Sequence, residues 1–179
     1  MDSDGDGDIW VFGYGSLMWH PGFDHVEARP ALLRGYHRAL CIYSTQYRGR
    51  PGAPGLVLGL DRGGSCMGRA FRIAAMDRAA ALAYLDAREM TQDTYMPRDL
   101  PVVLDDGRRV AAHCYVVRRD RPQYTGKLTL EQTVALVRQG EGWRGTAREY
   151  LANTVAHLDA MGIADGPLHR ILRAVENAP

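Results

Sequence analysis

The sequence predicts an α+β fold, a single domain built around a curved or barrel-like sheet. Strand-like segments occupy most of the first two thirds of the 179 residues, and helical periodicity takes over in the last third. A single helix, at 76–89, interrupts the strands. Strands followed by helices are typical of α+β domains rather than of doubly wound parallel sheets. Hairpin-type links between the strands favour a curved or closed sheet.

The strands are predicted from apolar, β-prone runs that stop at turn residues. The first is Ile9–Gly13, and the second, at 30–44, alternates apolar and polar residues as one long or bent strand. The glycine- and proline-rich segment 47–55 that follows is predicted to be a loop. We expect two hairpins after it: 56–60 with 66–73 around the turn 61–64, and 95–104 with 109–118 around Asp105-Asp106-Gly107.

Helices are predicted where apolar residues recur at helical spacing. The segment 76–89 is rich in alanine and carries Leu82 and Leu85 on one face. Three more helices follow one another in the last third, at 128–139, 146–161 and 167–175. The first begins near Thr129, and the first two end at a glycine.

Composition restricts the class of protein. A net charge of +1, with arginines interleaved among acids, gives no basic surface for nucleic acid or for an anionic membrane. No apolar run reaches the ~20 residues that cross a bilayer. Residues 1–8 form an acidic, glycine-rich segment, unlike the basic and then apolar start of a signal peptide, and we expect a disordered leader before a domain at 9–179. Three well-separated cysteines indicate a reduced, cytoplasmic protein.

The most informative segment is Val-Phe-Gly-Tyr-Gly-Ser-Leu, residues 11–17, where a strand stops at two glycines. Glycines let a backbone turn sharply, and successive N–H groups in such a turn can form an anion-binding concavity. A dinucleotide fingerprint is excluded because the third glycine is missing, and no lysine follows to make a phosphate-binding P-loop. The pattern leaves two interpretations open, a ligand-binding loop and a plain tight turn.

Glu89 is the most unusual acid in the sequence. It follows Leu85 by four residues, which places its carboxylate on the apolar face of the predicted helix, at the negative end of the helix dipole. Desolvation and the dipole both raise the pKa of a carboxyl group, as suits a proton carrier near neutral pH. Arg88 projects about 100° away around the helix, so it need not neutralise Glu89. The alternative is a frayed helix end with Glu89 in solvent.

Other residues are less informative. The six histidines form no metal-binding pattern, and no Gly-x-Ser-x-Gly elbow is present. The loop 47–55 is either a mobile lid or an ordinary surface loop. Tyr150, in a helix that opens near Thr146, either reaches a site through its hydroxyl or packs with that hydroxyl at the surface.

Several of these segments together resemble the ChaC family of γ-glutamylcyclotransferases. The opening loop alone is shared with a wider superfamily, whereas the loop, the glutamate and their spacing are more specific. The resemblance runs from about Trp10 to the C-terminal helices. It rests on Val11 to Leu17, on Arg48-Gly49-x-Pro51-Gly52-x-Pro54-Gly55, on Tyr84-Leu85-Asp86-Ala87-Arg88-Glu89 with Tyr95-Met96-Pro97 after it, and on Glu149-Tyr150-Leu151.

The resemblance implies a small mixed β-barrel with helices around it, and an enzyme that converts glutathione to 5-oxoproline and cysteinylglycine. No cofactor and no metal are implied, and the partner is a small-molecule substrate. Other γ-glutamyl amino acids or amines as substrates, and a non-catalytic γ-glutamyl-binding regulator, remain alternatives; the oligomeric state is open. Glu89 is implied as the catalytic acid–base. The predicted substrate-binding residues are Val11, Phe12, Gly13, Tyr14, Gly15, Ser16, Leu17 and Tyr150.

Overall fold

The computed structural model describes residues 7–179. Residues 1–6 of the predicted acidic leader lie outside this range. Asp8, the last residue assigned to that leader, accepts a hydrogen bond from the Arg72 guanidinium at 2.9 Å and another from the Ala75 backbone N–H at 3.0 Å. Asp8 is therefore attached to the folded part of the chain.

The chain forms two compact units. The first comprises 7–38 and 60–118 among the described residues, and the second comprises 39–59 and 119–179. Two long strands pass from one unit into the other, so both units contain parts of the same strands.

A closed, mixed barrel of five strands is the main feature of the described chain. The strands are β1 Ile9–Gly13, β2 Glu27–Ser44, β3 Gly55–Ile73, β4 Tyr95–Leu104 and β5 Arg109–Val117. Their order in the barrel is β1-β3-β2-β4-β5, and the barrel closes where β1 runs parallel to β5, with Trp10 opposite Ala112. β1 is antiparallel to β3, β2 to β4, and β4 to β5. The predicted α+β class and mixed barrel are confirmed.

The prediction of a hairpin between 56–60 and 66–73 is wrong, because β3 is one strand that continues through 61–64. Gly63 and Gly64 have positive φ angles of 103° and 68°, so the glycine pair adopts turn-like angles. Glycine adopts such angles without steric cost, and here they occur within a continuing strand rather than at a chain reversal. The second predicted hairpin, β4 with β5, is confirmed, with Leu104 accepting from the Gly107 N–H in the turn.

The interior of the barrel is apolar. Trp10 and Phe12 of β1 contribute to this cluster together with Leu33, Leu60 and Val102. On the opposite side of β1, Val11 packs in a second cluster that also contains residues of a helix. Strand β1 is thus buried on both faces, which explains why its sequence is a continuous apolar run rather than an alternating one.

The helix that interrupts the strands is α1, Arg78–Glu89, preceded by a short 3-10 turn at Ala75–Asp77. Its buried residues are Ala81 and Leu85, which pack against Val11 and Tyr115. The predicted helix at 76–89 is confirmed, with its first residues in the 3-10 turn.

The second unit carries three further helices, which confirms the three predicted in the last third. Their N-termini are capped by Thr129, Thr146 and Asp165, whose side chains accept backbone N–H groups. The elements are α2 Leu130–Gln139, the short strands β6 Glu141–Gly142 and β7 Gly145–Thr146, α3 Ala147–Ala160 and α4 Gly166–Asn177. None of the helices within residues 7–179 is long and apolar enough to span a membrane.

Candidate active site

The turn after β1 is built by close backbone packing. β1 ends at Gly13, where an added Cβ would lie 3.0 Å from the Leu17 Cβ. A 3-10 turn follows at Ser16–Met18, with the Met18 N–H donating to the Gly15 carbonyl at 2.9 Å. The His20 N–H then donates to the Ser16 carbonyl at 2.8 Å. The strand thus passes directly into a tight turn at the edge of the barrel.

The first N–H groups of this turn are available to a ligand. Among the described residues, no acceptor receives the backbone N–H of Gly15, Ser16 or Leu17. The first N–H groups of a helical turn have no partner within it, and consecutive donors of this kind favour an anion. This arrangement supports the interpretation of the segment as a ligand-binding loop.

Arg38 of β2 fixes the start of the turn from inside the first unit. Its guanidinium is buried and donates to the carbonyls of Tyr14, at 2.5 Å, and of Met67, at 2.7 Å. By engaging the carbonyl of Tyr14, it helps to set the direction of the following peptide. The sequence analysis missed this residue. No local sign marked it, because β2 also carries the charged residues Arg29 and Arg34.

Glu89 lies where the helical spacing predicts it. It is the last residue of α1, on the same face as Ala81 and Leu85, and its side chain is 19% exposed. Burial raises the pKa of its carboxyl group, and the Arg88 charge acts in the opposite direction. The alternative of a solvated glutamate at a frayed helix end does not describe this structure.

Arg88 lies beside Glu89 but does not cancel the effect of burial, which remains the larger influence on the pKa of Glu89. The Arg88 Nε lies 3.6 Å from Oε1 of Glu89. Although successive Cα–Cβ bonds point about 100° apart around the helix, the long arginine stem brings the guanidinium back beside the carboxylate.

Arg88 also connects the helix to the turn. Its Nη2 donates to the Ser16 Oγ at 2.6 Å, and its Nη1 donates to the His20 carbonyl at 2.9 Å. The same Nη1 lies 3.2 Å from the Tyr84 hydroxyl. One side chain therefore brings the turn and the end of α1 that carries Glu89 into one site.

A buried tyrosine lies near the same helix end. The Tyr115 hydroxyl on β5 donates to Oδ1 of Asp86 at 2.7 Å. Burial, with further contributions from Asp86 and Glu89, raises the pKa of this phenol. The phenol therefore stays protonated and holds Asp86, one turn before Glu89 in α1, in place. Sequence spacing gave no sign of this pair, because strand β5 and helix α1 are distant in the chain.

The other predicted binding residues have distinct positions. The side chains of Val11 and Phe12 are buried in the two apolar clusters, so they anchor the strand that leads into the turn. Tyr150 lies in α3 of the second unit, where its hydroxyl accepts from the Leu58 N–H at 3.0 Å and the Arg48 guanidinium lies 5.5 Å from the centre of its ring. Their contact with substrate stays a prediction.

The loop 47–55 is tied down within the second unit. Arg50 and Ala53 exchange two backbone hydrogen bonds across its tip. The N–H groups of Trp143 and Arg144 donate to the carbonyls of Gln46 and Tyr47. These bonds attach the loop to the β6–β7 hairpin and favour an ordered surface loop.

Comparison with known proteins places the chain in a family. Residues 9–178 match the sequence profile of ChaC-like proteins. The chain is 34% identical to the "glutathione-specific gamma-glutamylcyclotransferase" of Escherichia coli K12, over 96% of this chain and 74% of the relative. It is 32% identical to the Schizosaccharomyces pombe protein of the same name, over 86% of this chain and 85% of the relative.

A solved structure supports the fold independently. A yeast γ-glutamyl cyclotransferase described as specific to glutathione aligns with a TM-score of 0.84 and 23% identity, over 95% of this chain and 96% of the other. At this identity the likeness concerns the fold alone. The profile match and the sequence relatives show that this chain belongs to the ChaC-like protein family.

Proposed function

We propose that this chain is a γ-glutamylcyclotransferase that converts glutathione to 5-oxoproline and cysteinylglycine. The observation that carries the proposal is the half-buried carboxylate of Glu89, joined through Arg88 to a turn that presents N–H groups. The names of the E. coli and fission yeast relatives support the same substrate.

Ring closure requires a base beside the α-amine of the glutamyl group. In a γ-glutamyl amide, the α-amine and the γ-carbonyl belong to the same residue, so the amine can close a five-membered lactam without water. At pH 7 a free α-amine is mostly ammonium and has no lone pair with which to attack. A carboxylate beside the amine must first take a proton, and a raised pKa makes Glu89 a suitable acceptor.

The proton returns in the second half of the reaction. The α-nitrogen forms a bond to the γ-carbon, and the bond from that carbon to the cysteine nitrogen breaks. Glu89 then gives its proton to the departing nitrogen, so cysteinylglycine is released as an amine. The attacking nitrogen still carries two hydrogens, and it becomes the lactam N–H by losing one of them as a proton, which the freed amine accepts to become an ammonium group. Glu89 ends the cycle as a carboxylate, so the reaction uses no other proton donor and no second substrate.

The turn supplies orientation. We propose that the N–H groups of Gly15, Ser16 and Leu17 bind the α-carboxylate of the glutamyl group, with the negative charge at the start of the 3-10 turn. Fixing that end presents the amine to Glu89 and folds the chain towards the ring-closing geometry. When the amine and the carbonyl are held in this geometry, their effective concentration for ring closure is large.

The proposed reaction also bears on the partner, the cofactor requirement and the location of the protein. Its partner is a small molecule, and the chemistry above needs neither cofactor nor metal. A cytoplasmic location, where glutathione is abundant as a thiol reductant, fits this substrate and stays a prediction.

The test is a substrate panel. Purified protein is incubated separately with glutathione and with γ-glutamyl-alanine, and 5-oxoproline is measured, with Glu89→Gln as the matched control. Release from glutathione alone, abolished in E89Q, supports the proposal. Release from γ-glutamyl-alanine at a comparable kcat/KM would instead assign a broader cyclotransferase. Binding of glutathione without any product would leave a γ-glutamyl-binding protein.

A further inference from the structure

We propose that Arg88 is a positioning residue that clamps the turn 16–20 to the C-terminal end of α1, and thereby sets the turn's donors relative to Glu89. The inference rests on the proposed function for its catalytic consequence. The clamp itself is a geometric claim about the folded protein.

The geometry of the guanidinium carries the inference. Its two terminal nitrogens reach opposite ends of the turn, at the Ser16 Oγ (2.6 Å) and the His20 carbonyl (2.9 Å), while its Nε faces Glu89 at 3.6 Å. The side chain is only 21% exposed. A planar guanidinium can donate hydrogen bonds to several acceptors at fixed angles. A lysine ammonium is a compact point charge and cannot reproduce that arrangement.

The clamp complements a second attachment. Arg38 holds the turn at its start, through the Tyr14 carbonyl. Arg88 holds the part that carries the proposed donors, because Ser16 contributes both a clamped hydroxyl and one of the N–H groups. Without Arg88 the turn would remain attached at one end, and its donors could drift relative to Glu89. Misplacement by about 1 Å can reduce a rate by about 100-fold.

The charge of Arg88 has a separable effect. Burial raises the pKa of Glu89, and the arginine charge limits that rise. The ionisable groups near this helix end also include Tyr84, whose hydroxyl lies 3.2 Å from the Arg88 Nη1, and Tyr115 and Asp86, which are hydrogen-bonded to each other. Loss of the positive charge should therefore raise the pKa of Glu89 further, whereas a charge-preserving change should not.

Two substitutions at position 88 separate the effect of the guanidinium's hydrogen-bonding geometry from the effect of its positive charge. In Arg88→Lys we expect kcat/KM for glutathione to fall by about 10- to 100-fold, with the acidic limb of its pH profile unmoved. In Arg88→Met we expect a similar or larger loss, with the limb displaced to higher pH. The matched controls are Arg78→Lys and Arg78→Met, because Arg78 is exposed at the other end of the same helix.

A readout that needs no turnover tests the clamp directly. The amides of Met18 and His20 close the turn, so their hydrogen exchange measured by NMR reports its stability. We expect both amides to exchange faster in R88K than in the wild type, and to exchange at the wild-type rate in R78K. Unchanged exchange in R88K and R88M would overturn the clamp, and faster exchange with unaltered kcat/KM would overturn its positioning role.

The same measurements separate this inference from the proposed function. A wild-type protein that releases no 5-oxoproline would contradict the proposed function, while the exchange rates would still decide whether Arg88 holds the turn. Thermal unfolding of each variant identifies a general loss of structure. If R88M is found to be unfolded, the test rests on R88K, the more conservative change.

Discussion

Opposing electrostatic effects act on the carboxyl group of Glu89. Removal from water disfavours its charged form and raises its pKa, while the Arg88 guanidinium, 3.6 Å away, favours the charged form. Burial is the larger effect. The result is a carboxyl group that accepts a proton more readily than an exposed glutamate, while the neighbouring guanidinium limits how far its pKa rises. This balance is what a group that takes and returns one proton requires.

The pH dependence of activity follows from this pKa. Glu89 must be a carboxylate to accept the substrate proton, so kcat/KM should fall as the pH drops through its pKa. Because burial raises that pKa, the acidic limb should lie above pH 4.5, the ordinary value for a glutamate. The measurement is initial 5-oxoproline formation from glutathione between pH 4 and 8. A flat profile down to pH 4.5 would contradict the assignment.

The same burial costs stability. A carboxyl group whose pKa is higher in the folded state than in the unfolded state destabilises the fold once the pH exceeds its unfolded pKa. Glu89→Gln removes that penalty, so its Tm should equal or exceed that of the wild type at pH 7. The difference should shrink at pH 4, where the carboxyl is mostly protonated in both states. Calorimetry of both proteins at the two pH values provides the check, and a lower Tm for E89Q at pH 7 would count against the argument.

At the scale of elements, segment 47–55 shows how glycine permits close backbone packing. An added Cβ at Gly55 would lie 2.1 Å from the Arg48 carbonyl oxygen and 2.9 Å from the Ala147 Cβ. Gly52, at the tip of the same loop, has a φ of 84°, and no atom lies within 4 Å of the position that an added Cβ would take. The two glycines are therefore needed for different reasons, contact at one and backbone angle at the other.

This difference predicts a ranking of two alanine substitutions. Gly52→Ala should cost about 1–2 kcal/mol, the usual penalty for a left-handed angle in a residue with a Cβ. Gly55→Ala should cost more, about 3 kcal/mol or above, because backbone atoms must move to relieve the contact. Urea unfolding of the two variants measures both values. Equal losses, or a larger loss in G52A, would be inconsistent with the packing described.

Helix α3 depends on its cap. The Thr146 Oγ accepts from the Glu149 N–H at 3.1 Å, and the Glu149 carboxylate accepts from the Thr146 N–H at 3.1 Å. Thr146→Ala removes one of these bonds and should lower the free energy of unfolding by about 1 kcal/mol. Thr146→Ser retains the hydroxyl and is the matched control. If T146A were as stable as T146S, the cap would contribute nothing measurable.

At the scale of the whole molecule, the order of the elements was predictable from the sequence. Hydrophobic period and turn residues located β1, β4, β5 and the four helices, because each carries its own local pattern. The continuity of β3 was not predictable. Its Gly63-Gly64 pair fits a hairpin turn as well as a bend, and only pairing with distant strands decides between them.

The site was predictable in part. Glu89 stood out because one residue carried two local signs, an inward face and a helix end. The contact of Arg88 with the turn, the role of Arg38 and the Tyr115–Asp86 pair were missed, because they depend on contacts between segments far apart in the chain. Local spacing gives the direction of a Cβ, but not where a long arginine or a buried phenol finds its partner.

The central claim is that the Glu89 carboxylate carries the proton during ring closure, and the most direct test compares glutathione turnover with glutathione binding in Glu89→Gln. An amide has nearly the same shape but cannot accept the proton. We expect E89Q to remain folded, to bind glutathione by calorimetric titration with a Kd similar to the wild-type value, and to form 5-oxoproline at least 100-fold more slowly, the lower end of what a positioned acid–base contributes. Near-normal 5-oxoproline formation by a folded E89Q protein would contradict the claim.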